Sequence, residues 1–192
     1  MTHSPFLNSH VLGFIPDNLG DRIVLDIGCG FGEWGFLLRT RKSGSPCIIG
    51  VDIWRPHLEK LCPLKVYNEH IQVEISHIPF RKKSIDISLA CEILEHLPKS
   101  VGYDLIRELE RVTSEIIIIS TPLNWPQEKE MYGNPYEKHI STWSPEDFIR
   151  HGYETKIIHT LTKTLEITDR IRRCIFRLPP TPRLIVARKK VK

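Results

Sequence analysis

Between Val24 and Gly35 the chain reads VLDIGCGFGEWG, an acid at position 26 followed by glycines at 28, 30, 32 and 35. Residues without a Cβ let a backbone turn tightly and approach a ligand closely. Two registers overlap in this stretch. Gly30, Gly32 and Gly35 satisfy G-x-G-x-x-G, the spacing that seats a dinucleotide pyrophosphate on a helix N-terminus. Asp26, Gly28, Gly30 and Gly32 spell D-x-G-x-G-x-G, which puts a carboxylate ahead of the loop. The apolar run before the glycines stops at Ile27, so the loop begins at Gly28, and the third dinucleotide position then falls on Glu33. That favours the second register. A further acid, Asp52, closes CIIGVDI, and a two-oxygen acceptor there suits the hydroxyls of a ribose.

The elements that must carry these residues follow from the apolar pattern. RIVLDI (22–27), CIIGVDI (47–53), HIQVEIS (70–76), SIDISLA (84–90) and EIIIIST (115–121) alternate with amphipathic stretches: GEWGFLLRT, RPHLEKL and a predicted helix from about Val101 to Val112. This is the rhythm of a parallel sheet with crossover helices, and runs as continuous as IIII belong to strands buried on both faces. After Pro122 a loop rich in Pro, Asn and Gly extends to about Thr142. Ser144 and Pro145 then open a short helix as N-cap and N1. ETKIIH and RLIVARK read as two final strands. The expected architecture is an α/β, Rossmann-like sheet of seven strands, mostly parallel with an antiparallel C-terminal pair, and helices on both faces.

Composition is that of a globular protein, 41% hydrophobic and 26% charged over 192 residues. The length predicts a single domain with its core over about 21–190 and residues 1–20 as an N-terminal helix or lid. No run is long and apolar enough for a membrane span and MTHSPFLNSH lacks the pattern of a signal peptide, so the expected location is cytoplasmic. The cysteines at 29, 47, 62, 91 and 174 are odd in number and contain no C-x-x-C, which predicts reduced thiols and no metal site. Cys29 is expected to pack as a small residue. The net charge of +4 is uneven: from Lys156 to Lys192 eleven Lys and Arg face two acids. Within that stretch Leu161, Leu165, Ile171, Ile175 and Leu178 follow helical spacing, with Arg170, Arg172, Arg173 and Arg177 between them. Such a basic helix is either a site for an anionic partner or a solvated face.

VLDIGCGFG, GVDI, VEISHIPFRKKSIDISLACEILEHLP and IIIISTP, in that order, resemble the class I S-adenosylmethionine-dependent methyltransferases, most closely the broad type 11 group. The resemblance covers roughly residues 21–190. It implies S-adenosyl-L-methionine as cofactor, with Gly28, Gly30 and Gly32 against its methionine portion. Asp26 would place its amino group directly or through water, with capping of the next helix as the competing role. Asp52 would take the ribose hydroxyls. Glu74, where the family usually has Asp, would meet the adenine amino group, and the Ile75 N–H its ring nitrogen; a solvent-facing acid is the alternative for Glu74. Ile53 and Trp54 are placed to pack on the adenine. Cys91 and Glu92 follow the fourth strand, at the rim where open α/β sheets bind ligands. Glu92, Glu95 and His96 are candidates to place a nucleophile or take its proton. Glu92 and His96 stand at helical spacing on one face, while His96 before Leu97-Pro98 is equally suited to ending that helix.

The acceptor is expected from the less standard parts. Trp125, Tyr132, Tyr136, His139 and Trp143 either wall an acceptor pocket, with His139 as base or ligand, or pack the loop on itself. A small-molecule or lipid-like acceptor is the first reading. An RNA or protein substrate docked on the basic C-terminal helix is the second, and a cofactor-binding scaffold without turnover the third. Stable membrane insertion is not expected.

Overall fold

A computed structural model describes residues 5–75, 77–123, 130, 133–159 and 183–191, with residues 5–7 and 159 as backbone only. The segments carrying Trp125, Tyr132, Cys174 and the basic helical pattern lie outside the described residues.

The sheet has seven strands: β1 (Ile23–Ile27), β2 (Cys47–Asp52), β3 (Glu69–Gln72), β4 (Ile85–Cys91), β5 (Thr113–Pro122), β6 (Glu154–His159) and β7 (Arg183–Lys190). Their spatial order is β3-β2-β1-β4-β5-β7-β6. β7 alone runs against the rest, pairing antiparallel with both β5 and β6. The expected Rossmann-like architecture is therefore present. Strand order reverses between β1 and β4, which opens a crevice at the C-terminal ends of these strands where such sheets bind ligands.

The continuous apolar runs serve two cores at once. In β5, Ile117 and Ile119 face one side with Leu25, Ile27, Leu105 and Leu109, whereas Ile118 faces the other with Val24, Ile48, Leu38 and Val186. Helices α1 (Pro5–Leu12), α2 (Glu33–Arg41) and α3 (Arg55–Leu61) lie on the second side, and α4 (Lys99–Val112) and α5 (Pro145–Ile149) on the first. α4 buries Gly102, Leu105, Ile106, Leu109 and Val112, a single stripe at helical spacing. Ser144 caps α5 in a reciprocal capping box with Asp147. No helix among the described residues is long and apolar enough to cross a membrane.

Two expectations need correction. HIQVEIS is not a strand throughout: β3 stops at Gln72, because β2, its partner among the described residues, ends at Asp52 and the last pair is Asp52 with Gln72. Nor does a helix carry Glu92 and His96 on one face. Glu92 has a left-handed φ of 56°, and only Leu94–His96 follow as a single 3-10 turn.

Candidate active site

The C-terminal ends of β1, β2 and β4 border a cavity of about 550 Å³. Its floor is the glycine loop. The N–H groups of Gly28 and Cys29 both donate to the Val51 carbonyl (2.8 and 3.0 Å), so the chain turns sharply as it leaves β1. Gly28 has φ 69°, and a Cβ there would fall on the Ile93 side chain, so the loop after β4 sits where only glycine permits. Gly32 stands at the N-cap of α2 with its backbone in the left-handed region, and the Gly35 N–H in that first turn donates to the Tyr67 hydroxyl, so Asp26 makes no direct cap.

Asp52 holds the loop from the other side. Its carboxylate accepts from the Gly30 N–H (2.8 Å) and the Trp54 N–H (2.7 Å), and His57 Nδ1 lies 3.4 Å away. The His57 ring packs on Phe31 with centroids 4.6 Å apart. Asp52, Ile53, His57, Glu74 and Ile75 all line the cavity. Glu74 is exposed and Ile75 half-buried, in the segment that leaves the sheet after β3. Trp54 is not a lining residue; its ring stands edge-on to Tyr136, centroids 6.2 Å apart.

Asp26 is fully buried and is not part of the cavity wall. Its Oδ2 accepts from the Tyr67 hydroxyl (2.6 Å), which in turn accepts from the Gly35 N–H (3.2 Å), while Oδ1 has no partner. Burial pushes the Asp26 carboxyl up to about 7, the Tyr67 hydrogen bond opposing and the charge of Asp52 adding. Any influence on a ligand must pass through solvent or the loop. Gly35, the residue that completes the dinucleotide spacing, lies against the Tyr67 ring, where a Cβ would come within 2.6 Å. Cys29 is buried and its thiol is pushed well up by burial, as a packing residue rather than a nucleophile.

The opposite wall comes from the turn after β4 and the loop after β5. Glu92 lines the cavity, its Oε1 accepting from the Ser120 hydroxyl (2.8 Å), and burial pushes its carboxyl up to about 7. Glu95 is 2% exposed; its Oε2 accepts from the Thr121 hydroxyl (3.1 Å). Burial and the charge of Glu92 hold the Glu95 carboxyl well above the usual range. His96 lines the cavity, and burial lowers its imidazole to about 4. Its ring meets that of His139 edge-on, centroids 4.9 Å apart. Asn134, Tyr136, Glu137 and Ile140 close this side. Trp143 does not: it is 1% exposed, packed on Gly102 and stacked on Phe148 (5.6 Å), and belongs to the core. Among residues 8–20, whose side chains are described, none borders the cavity; Val11, Ile15 and Leu19 join the core beneath α2.

Residues 24–115 match the family model described as a methyltransferase domain. The structure is also similar to solved structures of S-adenosylmethionine-dependent methyltransferases. One from Archaeoglobus fulgidus shares 22% identity and a TM-score of 0.63, over 95% of this chain and 93% of that one. One from Listeria monocytogenes gives 17% and 0.65 over 94% and 96%. The fold is that of a class I methyltransferase. A Haloferax volcanii methyltransferase solved in complex with the Trm112 methyltransferase activator has the same fold, at 16% identity and a TM-score of 0.64 over 94% of this chain and 86% of that one. Among curated proteins, an uncharacterised protein of Methanocaldococcus jannaschii is 26% identical over 144 residues, 75% of this chain. The chain spans only 59% of that relative's length.

Against this fold, the sequence placed Gly28, Gly30, Asp52, Ile53, Glu74, Ile75, Glu92 and His96 around one cavity. It missed His57 and Tyr67. His57 had a signal, a histidine five residues beyond the carboxylate that closes β2. Tyr67, 41 residues from Asp26, had none.

Proposed function

We propose that the cavity binds S-adenosylmethionine and that this chain transfers the cofactor's methyl group to a small-molecule or lipid-like acceptor. The observation that carries the reading is Asp52. Its two oxygens are fixed by the Gly30 and Trp54 N–H groups at the cavity wall, and a carboxylate retains lone pairs for further donors. About 550 Å³ lies within the range of roughly 300–1,000 Å³ common to small-molecule sites.

In this reading Asp52 accepts from the ribose hydroxyls, Glu74 and the Ile75 N–H meet the adenine edge, and Ile53 packs beside it. Gly28 and Gly30 floor the place of the methionine portion, Gly32, which does not line the cavity, turns the loop into α2, and Asp26 acts from behind the loop through water. Glu92 borders the methionine end. When bound, the cofactor supplies a methyl group on a cationic sulfonium. Displacement from such a centre spreads existing charge, so orientation and exclusion of water by the chain carry most of the rate. Glu92, His96 and His139 are the groups that hold an acceptor or receive its proton. A small acceptor is favoured because Asn134, Tyr136 and Ile140 of this same chain close the cavity.

The test is incubation with methyl-labelled S-adenosylmethionine and fractionated cell extract. Label in the small-molecule or lipid fraction is expected. Label confined to RNA or protein would overturn the acceptor class, and tight cofactor binding with no label transferred to any fraction would make the chain a scaffold.

A further inference from the structure

We propose that Glu95, His96 and His139 form a binding site for one divalent transition-metal ion at the edge of the cavity. A carboxylate oxygen of Glu95 and one ring nitrogen from each histidine lie within 4.8 Å of one another. The residues come from two separate loops, the turn after β4 and the loop after β5, which backbone hydrogen bonds join: the Ile140 and Ser141 N–H groups both donate to the Glu95 carbonyl (2.8 and 3.1 Å).

The donor atoms are prepared for a cation. His96 Nδ1 lies 3.0 Å from the Lys138 carbonyl, and a carbonyl can only accept, so Nδ1 carries the proton and Nε2 presents its lone pair. That Nε2 is buried and has no hydrogen-bond partner. On Glu95, Oε2 is occupied by Thr121 while Oε1 is buried without a partner. No Lys or Arg among the described residues pairs with Glu95 or with the neighbouring Glu92. A protonated, neutral Glu95 does not resolve this: a proton on Oε2 can go to the Thr121 hydroxyl, but Oε1 and His96 Nε2 stay without partners, 3.9 Å apart and beyond a hydrogen bond from each other. The same gap is close to what an ion needs. Ligands about 2.0–2.1 Å from a tetrahedral metal stand roughly 3.3–3.4 Å apart, so the Glu95–His96 gap needs to close by about half an ångström, and an inward shift of His139 completes the set.

Two imidazoles and one carboxylate select zinc or another first-row transition ion over Mg²⁺ and Ca²⁺, which prefer all-oxygen shells. Three protein ligands leave a position open, and His96 borders the cavity. Resting on the reading of the cavity as a methyl-transfer site, that open position is where an acceptor oxygen or nitrogen would bind and be made more acidic, so that the two histidines hold the acceptor through the ion and Glu92 receives its proton.

The experiment uses the full chain, stripped with chelator and titrated with Co²⁺ by visible absorption and with Zn²⁺ by calorimetry, without cofactor. One equivalent of either ion is expected to bind, and a large excess of Mg²⁺ is not expected to displace Co²⁺. His139→Ala and Glu95→Gln should each weaken binding at least about tenfold, with circular dichroism confirming the fold, while His77→Ala at an exposed site changes nothing. Failure of the folded wild type to take up Co²⁺ or Zn²⁺ would overturn the site, as would uptake unaffected by both substitutions. Ion binding needs no methyl donor, so its failure and that of the cofactor reading are separately visible.

Discussion

The two ends of the cavity are built in opposite ways. At the β2 end, Asp52 is fixed from behind: a backbone N–H binds each of its oxygens and His57 stands beside it, so the carboxylate is held in place before any ligand arrives. At the β4 end, Glu92, Glu95 and His96 are crowded together with few partners, two carboxyls pushed up and an imidazole pushed down by burial. A satisfied acid is a preorganised binding group. An unsatisfied buried cluster stores cost that only a ligand, a proton or an ion can relieve. The first end accordingly reads as the place of a fixed cofactor, and the second as the place where reactants change.

The largest effect belongs to the residue joining both ends. Gly28→Val places a branched side chain at a left-handed φ against Ile93, and should cost about 3–5 kcal/mol from overpacking and strain together, read from denaturant unfolding. A neutral outcome would mean that the loops are not locked together.

Next comes Asp26, buried like the β4 cluster yet lying under the β2 end. With its carboxyl raised to about 7 from an ordinary 3.8, the folded state holds the proton more tightly than the unfolded chain. Its contribution is therefore fully present below about pH 4, declines as pH rises, and is lost above about pH 7. Asp26→Asn keeps an acceptor for Tyr67 and should remove that decline, giving a variant on the order of 4 kcal/mol more stable than wild type at pH 8. Thermal melts across pH 4 to 8 with parallel curves for the two proteins would contradict the assignment.

Asp52→Ala should weaken S-adenosylhomocysteine binding by about 1.5–3 kcal/mol, the scale of hydrogen bonds to a charged group, as measured by calorimetry; an unchanged affinity would remove Asp52 from the ribose. The smallest effect is Glu95→Gln. In chelator-treated protein it should raise stability, by up to about 1 kcal/mol, because a buried charge disappears while Thr121 keeps its acceptor. A loss of stability instead would erase the contrast between the ends.

The two ends also differed in how far the sequence disclosed them. The β2 end is local: the glycine loop, Asp52 and Ile53 follow their strands directly, and strand ends are visible where apolar runs stop. The β4 end is not. Glu95 and His139 are brought together by the loop after β5, and the helix expected from the spacing of Glu92 and His96 is broken by the left-handed Glu92 backbone. Spacing assumes a conformation, and here the hydrogen bond from the Glu92 N–H to the Ser120 carbonyl imposes another. Trp143 was read as a candidate pocket wall because aromatic residues in a loop carry no mark of which way they face. The missing Cβ of Gly102, 41 residues earlier, is what accommodates its ring in the core.

The central claim is that the overlapping glycine registers resolve in favour of an S-adenosyl cofactor held by Asp52. Calorimetric titration of the wild-type chain with S-adenosylhomocysteine and, separately, with NAD tests it most directly. The account predicts one site for S-adenosylhomocysteine and no measurable heat with NAD; saturable binding of NAD with none of S-adenosylhomocysteine would contradict it.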